Sequence, residues 1–372
     1  MKFSYWEIKS WFSNVDFTIV GSGIVGLSCA LELKSAYPFS KIVVLERGIL
    51  PQGASTKNAG FACFGSISEI LEDLKSHTEE EVFELVKERK EGLDKLRCNL
   101  SDSKIDFKQY GGYELFSNDN YDGYDESLGK LEEINKLLKP IFHGDVFRKE
   151  SNVFNFGNIQ NSLIFNQYEG QIDTGRMMEA LLLKVQANGV KILNSITVES
   201  FEESIGGVDI DTNYLQFRTH KLFIATNGFS QQLLNESVKP ARAQVLITKP
   251  IENLNIKGTF HLNKGYYYFR NIDNRVLLGG GRNLDLKGEE TIEFDETKLI
   301  QDKLEALLKE TILPHQSFEI DHRWSGIMGV GIQKKPIVKQ ISNHVFCGIR
   351  LGGMGVAIGS NVGTQMAQLL SS

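Results

Sequence analysis

One stretch limits what the rest of this chain can become: Asp16 to Glu46, DFTIVGSGIVGLSCALELKSAYPFSKIVVLE. Asp16 to Val20 reads as a short buried strand, and Gly21-Ser22-Gly23-Ile24-Val25-Gly26 follows it with the spacing G-x-G-x-x-G. From Ile24 to Ala36 the apolar residues recur as on a helix packed against a sheet, and Lys41 to Leu45 supplies a second strand ending at Glu46. In such a unit the first glycine permits the tight turn, the second lets backbone approach a pyrophosphate, and the third lets helix and strand pack closely. The helix N-terminus then faces the phosphates. Glu46 stands about 20 residues beyond the last glycine, where a carboxylate can take a ribose hydroxyl pair. The stretch therefore predicts a dinucleotide-binding βαβ unit, and does not by itself separate FAD from NAD.

A chain of 372 residues is long enough for two domains, or for one nucleotide-binding domain with large insertions. With 41 basic and 47 acidic residues the net charge is -6, and no basic block could track a phosphate backbone, so nucleic acid is not an expected partner. Cys29, Cys63, Cys98 and Cys347 have neither a disulfide framework's density nor a C-x-x-C spacing, which suits a reducing compartment. The N-terminal MKFSYWEIKSWFSNVD lacks the apolar segment of a signal peptide, and no apolar run reaches the roughly 18 residues of a membrane span. The expectation is a soluble cytoplasmic protein, with a homo-oligomer left open.

Beyond Glu46, the segment Pro51 to Gly65, PQGASTKNAGFACFG, is too rich in small residues for a regular element and suggests backbone passing close to something flat and bulky. Ile67 to Leu96 has a helical pattern with a capping box at Thr78, Tyr110 to Phe116 reads as a strand, and a helix near Glu126 to Leu138 is expected to stop at Pro140. A capped helix follows Asp173, and Lys221 to Ala225 resumes the buried-strand theme before Thr226-Asn227-Gly228. Strands at 241–248, 265–270, 275–280 and 316–321, with an apolar-striped helix at 296–310, predict a second and largely antiparallel sheet. After Trp324 the chain turns glycine-rich, and Arg350-Leu351-Gly352-Gly353-Met354-Gly355-Val356 feeds a closing helix, a second helix N-terminus preceded by glycines.

Together, the opening βαβ unit, LERG with the GASTKNAGF loop, ATNG followed by KPARAQVL, and RLGGMGVAIGSNVG resemble the flavin-dependent oxidoreductases of the D-amino acid oxidase, glycine oxidase and sarcosine oxidase group. The resemblance covers essentially the whole chain. It implies an α/β fold: a Rossmann-type FAD-binding domain at 1–75, 141–240 and 322–372, and a discontinuous substrate domain on a mainly antiparallel sheet at 76–140 and 241–321. Position by position it implies that Gly21, Ser22, Gly23, Ile24, Val25 and Gly26 serve the FAD pyrophosphate and Glu46 the ribose, with Arg47 beside it. Ser55, Thr56, Asn58, Ala59 and Gly60 match the loop under the pyrophosphate and flavin ring, and Val198 the strand that meets adenine. Ala225, Thr226 and Gly228 match the strand end over the adenosine half. Gly353, Met354, Gly355 and Val356 match the loop whose amides face the electron-rich side of the flavin, and a second helix N-terminus of this kind favours FAD over NAD because reduced flavin carries negative charge.

On the substrate side the resemblance points to Arg323 for a two-pronged contact to a carboxylate, with a structural ion pair to Asp321 or another acid as the alternative. Tyr267 and Arg270 match the strand lining the substrate cavity. The strand Arg275 to Gly279 has no lysine and Arg323 to Gly331 no cysteine, where the sarcosine oxidase branch has an oxygen-assisting lysine and a flavin tether, so FAD is expected without a covalent bond. The implied reaction is hydride transfer to flavin from the carbon bearing the nitrogen of a small amine or amino acid, with oxygen or another carrier as electron acceptor. The rivals are oxidation of a 2-hydroxy acid or sn-glycerol 3-phosphate, and a non-catalytic FAD-binding protein.

Overall fold

A computed structural model describes residues 2–371. Its first eight-stranded sheet is built around Val15–Val20, which lies parallel to Ile42–Leu45 on one side and to Gln216–Ile224 on the other. Lys191–Leu193 extends this parallel core beyond Ile42–Leu45, and Val345–Ile349 extends it beyond Gln216–Ile224. Their central segments, residues 17–20, Ile42–Leu45, residues 222–224 and Val345–Ile349, are buried because both faces are covered, as parallel sheets require. The helices Ile24–Ala36 and Gly355–Gln368 cover one face. Gly207–Thr212 pairs antiparallel with Gln216–Ile224 and with Val198–Ser204, and Val198, Val208 and Ile210 of these strands close the other face with the N-terminal arm, whose Phe12 packs on Phe217 with ring centres 5.4 Å apart.

The second eight-stranded sheet runs in the order Ile320–Val330, Lys239–Thr248, Arg275–Gly280, Tyr267–Ile272, Thr259–Leu262, Gly112–Leu115, Ser162–Asn166, Phe147–Ser151. Only the Thr259–Leu262 and Gly112–Leu115 pair is parallel. Leu246, Leu278, Phe260 and Phe269 pack on one face with Ile300 and Leu304 of the helix Lys298–Leu307. Val245, Leu277, Tyr268 and Trp324 turn to the other face, toward Ala59 and Phe61 of the small-residue loop. The two sheets thus enclose that loop between them.

Several features differ from the sequence reading: the helix expected near 126–138 is two, Tyr121–Gly129 and Leu131–Phe142, and the second runs through Pro140. Phe147–Ser151 and Ser162–Asn166, within the 141–240 segment assigned to the cofactor domain, are outer strands of the second sheet. FRKES is a polar edge and SLIFN a buried run, so neither shows the alternation that marks an antiparallel strand. Ile320–Val330 is one continuous 11-residue strand in place of the one expected at 316–321; it includes the glycine-rich SGIMGVG, and the expected boundary at 322 falls inside it. Its glycines are needed for close approach: a Cβ on Gly326 would come 2.7 Å from the Lys57 Cβ, and one on Gly329 2.5 Å from Asn227 Oδ1. The expected helix at 67–96 is two helices, Ile67–Leu74 and Glu79–Leu100, because Thr78 and Glu81 form a capping box that starts the second one.

The closing helix is pressed onto Ile24–Ala36 through glycines. A Cβ on Gly363 would sit 2.4 Å from the Val25 carbonyl oxygen, which is backbone, whereas one on Gly359 would meet side chains alone, Ile24 Cγ2 at 2.9 Å and Leu351 Cδ2 at 3.6 Å. Gly363→Ala is expected to lower unfolding free energy by about 3 kcal/mol through overpacking. Gly359→Ala should be near neutral, since Ile24 can turn and alanine gains about 1 kcal/mol of helix propensity over glycine. Urea titration of both variants checks the contrast.

Candidate cofactor and substrate site

Three strand ends meet where the glycine motif begins. The Gly21 N–H donates to the Leu45 carbonyl at 2.8 Å and the Ala225 N–H to the Val20 carbonyl at 2.9 Å. Gly21 has φ +104°, and a Cβ there would lie 2.8 Å from the Ala225 carbonyl oxygen. A Cβ on Gly26 would lie 2.0 Å from the Gly21 carbonyl oxygen, so the third glycine is required for the helix to start this close to the strand. Gly23 caps the helix, and Ser55 Oγ accepts from the Ile24 N–H at 3.0 Å, tying the small-residue loop to the helix start. Val25 is buried in the first turn behind it. Buried Glu46 accepts from the Ser22 hydroxyl at 2.7 Å and the Ser22 N–H at 3.2 Å through one oxygen, and from the Gly48 N–H at 3.0 Å through the other. The Arg47 guanidinium covers the Phe229 ring at 3.8 Å, and burial lowers its pKa. Val198 is buried at the start of its strand, Gly228 is pressed against the Met328 carbonyl, and the buried Thr226 hydroxyl has no partner.

The loop between the sheets is held by its own side chains. Ala54–Lys57 makes one helical turn, and Thr56 Oγ1 donates to the Pro51 carbonyl at 2.7 Å. Asn58 Oδ1 accepts from the Gly60 N–H at 2.8 Å and from Thr174 Oγ1 at 2.9 Å. Ala59 packs on Val245 and Leu277, and the Trp324 indole N–H donates to the Lys57 carbonyl at 2.9 Å. Across from it, Met354 caps the closing helix, which opens with Gly355 and buried Val356, and the Cys63 sulfur lies 3.7 Å from the Met354 sulfur. Around this crevice a Cβ on Gly53 or Gly352 would meet nothing within 4 Å, and one on Gly353 only the Met328 sulfur at 4.0 Å. Open space beside these glycines, two helix starts and an unpartnered hydroxyl fit an extended dinucleotide.

Strand alternation sorts the expected substrate residues. Tyr267 faces Ile300 and the outer helix, away from the loop, while its neighbour Tyr268 faces Phe61, with ring centres 5.5 Å apart. The packed surroundings of Tyr268 push its hydroxyl up to about 12. Arg323 also faces the outer helix, where it donates to Gln301 and pairs with Glu305 at 2.5 Å. Asp321 is taken by Arg275. Arg323 is thus in a structural ion pair, and the indole next to it in sequence is what reaches the loop. Arg270 does lie on the loop side. A Cβ on Gly60 would come 2.8 Å from its Nη2. It is 2% exposed, its side chain makes no hydrogen bond or ion pair among the described residues, and burial lowers its pKa to about 10.

Sequence reading passed over one further group on this side. His261 Nε2 lies 3.0 Å from Glu169 Oε2, and the His261 ring meets Phe61 edge-on at 5.4 Å. Burial opposes the charged imidazole, but Glu169 outweighs it and raises its pKa to about 9. Burial pushes the neighbouring Cys63 thiol well up. The signal was faint: one histidine inside the otherwise buried strand TFHL and one glutamate ahead of a glycine in NQYEGQ.

A dinucleotide crevice at the ends of a parallel sheet, facing an aromatic antiparallel sheet, defines a two-sheet oxidoreductase of the flavoprotein class. The chain belongs to the FAD dependent oxidoreductase family, which matches residues 16–369, and FAD is its cofactor. It is similar to the OrdL protein of Haemophilus influenzae, with 22% identity over 378 residues, covering 96% of this chain and 83% of that one. It is also similar to the gamma-glutamylputrescine oxidoreductase of Escherichia coli, with 23% identity covering 95% of this chain and 83% of that one. Among solved structures, glycine oxidase from Bacillus cereus superposes with a TM-score of 0.78 at 15% identity, covering 96% and 95% of the two chains. No helix among the described residues is long and apolar enough to cross a membrane.

Because Arg323 and Tyr267 lie behind the sheet, Arg323→Ala and Tyr267→Phe are expected to leave the flavin absorbance spectrum and kcat/KM unchanged. Arg323→Ala should cost about 1 kcal/mol or less, as for a partly exposed ion pair. Thermal unfolding and steady-state kinetics on the purified variants check both.

Proposed function

We propose that the protein oxidises a small amino acid or carboxylate-bearing amine at the carbon that carries nitrogen, leaving an imine that water hydrolyses. FAD supplies the hydride acceptor. The first sheet with the Ser55–Gly60 loop and the Gly353–Val356 helix start would hold it, at Gly21 to Gly26, Glu46, Arg47, Val198, Ala225, Thr226 and Gly228. The second sheet presents Tyr268, Trp324 and Leu277, with Phe61 of the loop against them, as an apolar wall that excludes water and aligns the substrate.

The observation that carries this reading is Arg270. An unpaired guanidinium so deeply buried is costly and calls for an anion, and its planar fork matches a carboxylate. Arg270 therefore takes the carboxylate-binding role expected of Arg323. Among the described residues, neither histidine on this side of the sheet is a free base, which favours an amine over a 2-hydroxy acid. Oxidising an alcohol requires a group to accept the hydroxyl proton, whereas an amine bound neutral requires none. His261 is engaged by Glu169 and His322 stacks on Trp324 at 5.9 Å, so neither is poised for it. The names of the relatives, a glycine oxidase and a gamma-glutamylputrescine oxidoreductase, agree with an amine substrate.

FAD is read as non-covalent, because Cys63 and Cys347 are buried within their own segments and Cys98 lies on the Glu79–Leu100 helix. We also place the protein in the cytoplasm, on its reduced cysteines, with oxygen or a second carrier reoxidising the flavin.

Without oxygen, glycine, sarcosine or D-alanine should bleach the flavin absorbance of the purified holoprotein; bleaching by 2-hydroxy acids alone would overturn the amine reading. Arg270→Met should raise KM for the carboxylate-bearing substrate about 30-fold or more, the loss of about 2 kcal/mol from a buried charge pair, while FAD remains bound. Acid precipitation should release all the flavin into the supernatant.

A further inference from the structure

Behind Phe61, three side chains of the kinds that hold zinc come together outside the roles assigned above. The Cys63 sulfur, a Glu169 carboxylate oxygen and a His261 ring nitrogen lie within 4.8 Å of one another, and all three residues are buried. They arrive from separate segments. Cys63 follows the short strand Phe61–Ala62, Glu169 precedes Gly170–Gln171, and His261 lies inside Thr259–Leu262.

Zinc takes thiolate, imidazole and carboxylate donors at about 2.0–2.3 Å, so donor atoms this close need only small shifts to share one ion. The carboxylate is already oriented: Thr259 Oγ1 donates to Glu169 Oε2 at 3.1 Å, and Asn166 Nδ2 reaches Oε1 at 3.4 Å. Such outer hydrogen bonds are what fix a ligand for a metal. Among the described residues no lysine or arginine pairs with Glu169, and the nearby buried Arg89 instead donates to the Phe64 carbonyl at 2.7 Å. The Met354 thioether, 3.7 Å from the Cys63 sulfur, adds a soft neighbour.

We propose that Cys63, Glu169 and His261 form a three-ligand binding site for one zinc ion per chain, whose entry displaces the protons held by its donors to solvent. Such an ion joins the small-residue loop to the second sheet and sits against the cap of the closing helix. It is a structural clamp across segments that line the crevice, and its binding does not depend on which substrate is oxidised.

The holoprotein, dialysed against chelator and titrated with zinc chloride in a calorimeter, should bind one ion per chain and unfold at a higher temperature in its presence. Cobalt(II) in place of zinc should give a near-ultraviolet thiolate charge-transfer band in the difference spectrum against holoprotein, absent in Cys63→Ala. Thr259→Val, which leaves all three ligands in place, should weaken zinc binding about 10-fold or more. Wild-type protein that binds no stoichiometric zinc, or cobalt without the thiolate band, overturns the proposal whether or not Cys63→Ala folds. In that case His261 and Glu169 are a closed ion pair with Cys63 as packing.

Discussion

Everything in this molecule follows from the lack of room between Gly21 and Gly26. Because the turn leaves no space for a side chain at its third glycine, the helix Ile24–Ala36 starts directly against the strand Val15–Val20. That fixed helix is the surface on which Gly363 lets the closing helix press down to backbone distance. The closing helix in turn places the Met354 sulfur 3.7 Å from that of Cys63, while Ser55 is tied to the start of the first helix. Two helix starts and a loop, distant in sequence, are positioned by one steric restriction.

The sequence carried the cofactor half of this arrangement well, because its demands are on backbone. Close approach and tight turns require glycine, and continuous apolar runs mark strands covered on both faces. Such requirements leave residue types behind, as at Gly21, Gly23, Gly26 and the run IVVL. The second sheet was legible in its central strands and blurred at its edges. Phe147–Ser151 is mostly polar, and Ile320–Val330 carries glycines for contact with Lys57 and Asn227 that resemble loop punctuation.

Substrate residues were harder for a different reason. In a strand a shift of one position moves a side chain to the opposite face. The run Tyr266-Tyr267-Tyr268 offers the same residue to both faces, so composition could not say which tyrosine meets the loop. The same parity separates Arg323, paired with Glu305 behind the sheet, from Trp324, bonded to Lys57 in front of it. Arg270 was on the correct face, yet what sets it apart, a buried guanidinium with no partner, is a fact about its neighbours and not its letter. The Cys63, Glu169 and His261 group was hidden because its members lie far apart in the chain and join only through folding.

The long strand Ile320–Val330 has a mechanical meaning. It begins against the outer helix of the substrate sheet, and at its far end the Gly329 carbonyl accepts the Gly352 N–H at 2.9 Å while the Met328 carbonyl lies against Gly228. Midway, Trp324 is bonded to the loop at Lys57. A single stiff beam is therefore riveted to both halves of the molecule at several points, and the halves cannot swing apart like jaws without breaking those rivets.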